Sequence, residues 1–166
     1  MLDKIKQYLS DLGTVERISE RVPEEQIAVA AVLMEVAEAD LDFRPEEFRE
    51  IVLQLRAYFG LNKEQAEELI QATGQERDRA TDLFPFTNAI ARTYSPEKKQ
   101  EVLTMVWSVI FADDKLDPYE DQLAGRLQAL LAVNHSVLMA AKDKARAVQR
   151  ARADRSGAVP SSRPRR

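Results

Sequence analysis

Carboxylates set in short, proline-marked stretches are the residues of this chain with the clearest chemistry to offer. Two such stretches occur: Ala39–Glu47 reads ADLDFRPEE and Ala112–Glu120 reads ADDKLDPYE. Ala, Asp, Pro and Glu coincide at the first, second, seventh and ninth positions. Oxygen-only ligand sets suit hard divalent cations, so the cofactor such groups would take is Ca²⁺, Mg²⁺ or Mn²⁺. The candidate ligands are Asp113, Asp114, Asp117 and Glu120 in the second stretch, with Asp40 and Glu47 in the first. The second is the richer site, because Arg44 stands in the first and a permanently charged guanidinium opposes a cation. A second reading needs no metal. Asp40 and Asp113 each follow an apolar helix and can close Asx turns. Asp117 and Glu120 fit an N-cap and its third-position partner. The sequence requires no cofactor, and both readings stand.

Other chemistries find no footing. The single histidine, His135, is followed by Ser136-Val137, and no serine sits in a Gly-flanked elbow, so a Ser-His-Asp arrangement is not expected. Cysteine is absent, which excludes thiolate metal sites and disulfides and fits a reducing compartment. There is no Gly-rich phosphate loop, and the Asp spacing is not that of an EF-hand. The expectation is a protein that is not an enzyme. Trp107 lies mid-helix in an apolar run and is expected in the core, with its N–H finding one acceptor.

The elements that must hold the two acidic corners are helical. No apolar–polar alternation lies between turn signals, so no strand is expected. Ile27–Met34 and Val102–Ala112 are uncharged runs, apolar nearly all round, as buried central helices are. Each runs into an acidic corner, then into a helix opened by proline, Pro45 or Pro118, and then into an aliphatic stripe. Phe48, Ile51, Val52, Leu55 and Phe59 form one stripe; Leu123, Leu127, Leu130 and Leu131 form the other. The reading is an all-α, single-domain bundle of seven or eight helices, with an internal pseudo-twofold duplicated helical hairpin and its two central helices packed on each other. Local signals mark the boundaries. Gly60 closes the first proline-opened helix, Asn62 with Gln65 makes a capping box, and Gly74 terminates the helix they begin. Ser95-Pro96-Glu97 starts the second central helix. Gln75–Asp82 reads as charged and mobile, and Phe84-Pro85-Phe86 as an irregular lead-in. The last helix reads as Val137–Ala147.

Residues 1–22 read as an N-terminal helix, striped by Leu2, Ile5, Tyr8, Leu9 and Leu12, with a connector; 23–155 as the helical domain; 156–166 as a basic disordered tail. The N-terminus is amphipathic rather than a signal peptide, and no apolar run approaches the roughly 20 residues of a membrane span. A cytoplasmic protein is expected. Lys142–Arg166 carries nine Lys and Arg against Asp143 and Asp154, a surplus of seven positive charges. The whole chain carries −4, so residues 1–141 carry −11. An acidic body with a basic end suggests contact of the tail with anionic surfaces. The tail has no interleaved aromatics, so no specific nucleic acid is expected.

An apolar helix running into Ala-Asp, a proline, an acid, and an aliphatic helix ending near Gly-Leu, all duplicated, resembles the tellurite-resistance protein B (TerB) family. Ala39, Asp40, Pro45, Glu47, Gly60 and Leu61 carry the likeness, then Ala112, Asp113, Asp117, Pro118 and Glu120, over about residues 24–140. Where the family continues Ala-Asp with Gly, this chain has Leu41 and Asp114. The resemblance implies an all-α module that is not an enzyme, associated with tellurite and other chemical stress, whose acidic corner is a metal site. Two functions follow as expectations. One is a stress-response module with a weak divalent-cation site at its corners. The other is a metal-free adaptor that docks protein partners through a groove between its halves.

Overall fold

The computed structural model describes residues 21–39, 45–113 and 118–157, apart from the side chains of 113 and 118–121. The predicted N-terminal helix, striped from Leu2 to Leu12, lies outside the described residues; of the tail read as 156–166, Ser156 and Gly157 instead end the last helix, and the rest lies outside the described residues. Seven α-helices are described: α1 Glu24–Glu38, α2 Pro45–Phe59, α3 Lys63–Arg79, α4 Phe84–Thr93, α5 Pro96–Ile110, α6 Pro118–Leu130 and α7 His135–Gly157. A 3₁₀ turn, Phe111–Asp113, extends α5. The described residues contain no strand.

The two apolar runs are the two central helices. Every residue from Ile27 to Leu33 is buried, as are Val36 and Ala37. On α5, Val102, Leu103, Met105, Val106, Trp107, Val109 and Ile110 are buried. The two helices pack on each other, and α1 also touches α2, α3 and α4. A helix with neighbours on every side can be apolar on every side, which is why these runs lack a polar face. Helix α5 makes its widest contact with α7.

Local chemistry sets the boundaries. Asn62 Oδ1 accepts from the Gln65 amide at 2.8 Å and Gln65 Oε1 accepts from the Asn62 amide at 2.9 Å, a complete capping box. Ser95 Oγ accepts from the Lys98 amide at 3.2 Å, with Pro96 at the first helical position. Gly60, at φ +66°, closes α2 in the left-handed conformation, and the Leu61 amide reaches back to the Arg56 carbonyl. Ala132, at φ 54°, does the same work after α6, a strained choice for a residue with a Cβ.

Several expectations are corrected. Gly74 does not terminate α3, which continues to Arg79. The extension is tied to α1, since the Arg77 guanidinium lies 2.8 Å from both Glu35 and Glu38. Tertiary contact therefore overrides glycine's cost of about 1 kcal/mol in a helix. Phe84 begins α4 rather than an irregular lead-in, with Pro85 in the first turn, where proline is tolerated. Helix α7 runs ten residues past Ala147, to Gly157. On α2 the buried face is Glu47, Glu50, Ile51 and Leu55, while Phe48 is 39% exposed. Those four residues share one face at helical spacing, so the helix is rotated from the expected stripe.

Two helix trios are alike in part of their packing. Within α1–α2–α3 all three pairs touch, and so do all three pairs within α5–α6–α7. The two trios differ in their surroundings. Helix α2 also packs on α5 and on the 3₁₀ turn, whereas α6 packs on α4. A pseudo-twofold relation remains a reading of the sequence.

Candidate functional site

The first acidic corner leaves α1 after Ala39 and delivers the chain to Pro45. The second leaves α5 through the 3₁₀ turn Phe111–Asp113 and delivers the chain to Pro118. The flanks of the two corners meet, because α2 packs on the 3₁₀ turn and α7 packs on the same turn. A cavity of about 500 Å³ lies there, lined by Glu46, Arg49 and Glu50 of α2, Phe111 and Ala112 of the turn, and Arg152 of α7, among others.

Of the six candidate ligands, the structure describes one side chain. Glu47 is 2% exposed, at the third position of α2. That position suits a carboxylate, since a helix N-terminus carries partial positive charge and unpaired amides. Asp40, Asp114 and Asp117 lie outside the described residues. Asp113 ends the 3₁₀ turn and Glu120 lies in the first turn of α6, with their side chains outside the described set. Among the described residues, no three His, Cys, Asp or Glu gather as a metal site would need. Any all-oxygen site there would draw on the acids of the corners themselves. Glu47, a buried carboxylate at the head of one corner, fits such an all-oxygen set.

The surroundings hold residues that sequence reasoning missed. Glu50 is 8% exposed, and its carboxylate accepts from Gln54 Nε2 at 2.6 Å and from Arg152 Nη1 at 3.1 Å on each oxygen. Trp107 and Phe111 stack with ring centroids 5.6 Å apart. Lys142 Nζ sits 4.6 Å from the Trp107 ring centroid, and the Arg146 guanidinium 5.4 Å from that of Phe111. Gln149 Nε2 donates to the Phe111 carbonyl at 2.7 Å. Lys142, Arg146, Gln149 and Arg152 recur at steps of four, three and three, so one face of α7 lies along the second corner's flank. The spacing of Glu47 and Glu50 with Ile51 and Leu55 was the available signal for an acidic inner face on α2. No local signal pairs Arg152 with Glu50. The expected acceptor for Trp107 is also corrected: its Nε1 is buried with no hydrogen-bond partner among the described residues.

Away from the corners, Tyr94 Oη donates to Glu25 at 2.6 Å. Burial first, then that bond, and then the neighbouring Tyr58 raise the Tyr94 phenol above the usual tyrosine value. Burial and the Glu101 charge raise Tyr58 as well. Neither group is suited to act as a base near neutrality. His135 is exposed, with Nδ1 3.3 Å from Gln128 Oε1. No described helix is long and apolar enough to cross a membrane.

A family model described as tellurite resistance protein TerB matches residues 26–143, more than half of the chain. No curated protein and no solved structure matches the chain.

Proposed function

The chain belongs to the TerB family, and on that premise we propose that it is a non-catalytic, cytoplasmic stress-response module that holds a divalent cation weakly where its two acidic corners adjoin. One observation carries the reading. Helix α2, opened by the first corner and carrying the buried Glu47, packs directly on the turn that opens the second. On this reading carboxylates of both corners would serve one ion. The two corners then share it instead of forming a better and a lesser site. Asp113, Asp114, Asp117 and Glu120 supply most of the charge, and Asp40 and Glu47 complete the set rather than form a lesser site. Ca²⁺ takes six to eight oxygens, so backbone carbonyls and water fill what the side chains leave. Corners that also serve as helix caps argue for weak binding, on the order of 10⁻⁴–10⁻³ M.

Calcium, magnesium and manganese titrations followed by backbone NMR test this. Shifts at Ala112–Glu120 and Ala39–Glu47 together, lost in Asp113→Asn, are expected. At 100 times the dissociation constant, the ion adds about 2.7 kcal/mol to stability. No shift at millimolar metal would leave the acids as caps alone.

A second reading, a metal-free adaptor for protein partners, is favoured by a separate cavity. It measures about 480 Å³ and lies between the two trios, lined by Met34, Glu38, Arg77, Leu83, Leu123 and Arg126, among others. Under that reading the metal titration is silent, and Arg126→Glu, at an exposed position of the lining, abolishes partner capture without unfolding the bundle. The basic C-terminal end, in either reading, would steer the molecule toward anionic surfaces.

A further inference from the structure

Helix α7 changes character along its length. As far as Ala145 it is anchored by buried apolar side chains, Leu138, Ala141 and Ala145. From Ala147 to Gly157 no residue is buried. Polar contacts to the body take over from burial there. Gln149 holds the Phe111 carbonyl at 2.7 Å, and Arg152 holds both oxygens of Glu50 at 3.1 Å. The end continues an already nucleated helix, but with no buried side chain its hold on the body rests on these polar contacts. Both tethers land on the flanks of the acidic corners. Phe111 begins the turn into the second, and Glu50 lies on the helix that the first one opens.

We propose that residues 149–157 form a detachable strap, latched by Gln149 and Arg152 across the flanks of both corners. Its release opens the cavity between α2 and α7 and frees Arg152 to stand beside Arg150 and Arg155. In the docked state Arg152 is spent on Glu50; in the released state it joins a cationic helix end. The latch is built to be reversible. The Arg152 side chain is 48% exposed while that of Glu50 is 10% exposed, so salt screens the pair from one side only and weakens it without abolishing it. Apolar surface is at stake as well, because Leu53 and Val148, 52% and 42% exposed, already line the cavity. The strap needs no cation in the corners and stands or falls apart from the metal reading.

The chain has no cysteine, so spin labels at Arg49→Cys and Ala153→Cys report the α2–α7 separation directly by dipolar spectroscopy. One short distance is expected at low salt. Arg152→Gln adds a longer, broader population, and the Gln149→Ala, Arg152→Gln double variant is dominated by it. Amide exchange at 149–157 quickens by about tenfold in Arg152→Gln, while 138–145 holds, which separates release from unfolding. A single short distance in the double variant at molar salt overturns the proposal, since α7 is then rigid throughout. So does an equal release in Arg155→Gln, which would make the effect one of general charge. A broad distance at low salt in the labelled protein without latch substitutions would overturn it too.

Discussion

Replacing Trp107 by alanine removes the largest side chain of the core, 1% exposed, from the last turn of α5. Deleting a buried tryptophan costs about 3–5 kcal/mol through lost transfer energy and the cavity left behind. The stack on Phe111 at 5.6 Å and the Lys142 ammonium at 4.6 Å push toward the upper end. The buried Nε1 pulls the other way. It has no acceptor among the described residues, so removing it returns part of a desolvation cost of about 1–3 kcal/mol. The balance is a loss of about 3–4 kcal/mol. At about 2–4 °C per kcal/mol for a chain of this size, the melting temperature falls by roughly 6–16 °C. Trp107→Phe separates the contributions, because it keeps a ring against Phe111 and drops the unpartnered donor. Its cost should stay below about 1.5 kcal/mol. Urea unfolding followed by far-ultraviolet circular dichroism reads both variants without relying on the tryptophan itself. A Trp107→Ala cost under about 1 kcal/mol would refute the central-helix packing. A Trp107→Phe cost equal to that of alanine would show that the indole N–H has a partner after all.

Gly74→Ala should stabilise the protein by about 0.5–1 kcal/mol, since a Cβ there meets nothing within 4 Å and α3 runs through the position; a loss of stability in thermal melts would contradict a continuous helix. Arg77→Ala should cost no more than about 1 kcal/mol, because Glu35 and Glu38 are 41% and 50% exposed, and the cost should shrink as salt is added. A salt-independent loss would mean that the arginine stem, not its charge, does the holding. Tyr94 has a folded-state value raised above its ordinary 10.0, so its contribution is full below about pH 10 and is lost as the pH climbs past that value. Unfolding curves across the alkaline range should therefore fall less steeply for Tyr94→Phe than for the parent protein, and identical slopes would rule out the linkage.

The sequence by itself determined the helices, most of their ends and which two lie at the centre. These are local matters. A capping box at Asn62 and Gln65 closes within three residues, Gly60 supplies its own left-handed turn, and a run such as Ile27–Leu33 has no polar face to leave in water. It also showed that acid follows each central helix. Only the tertiary structure decided how the helices flanking those corners stand to each other. The rotation of α2, which buries Glu47 and Glu50 and turns Phe48 outward, depends on where α5 and its 3₁₀ turn lie. The continuation of α3 through Gly74 depends on an arginine reaching another helix. Arg152 and Glu50 are separated by 102 residues, and Gln149 and Phe111 by 38. No pattern along the chain encodes such pairs, because a long-range contact is fixed by how whole helices pack. Spacing alone could show two sets of carboxylates, and packing brought their flanks to one place.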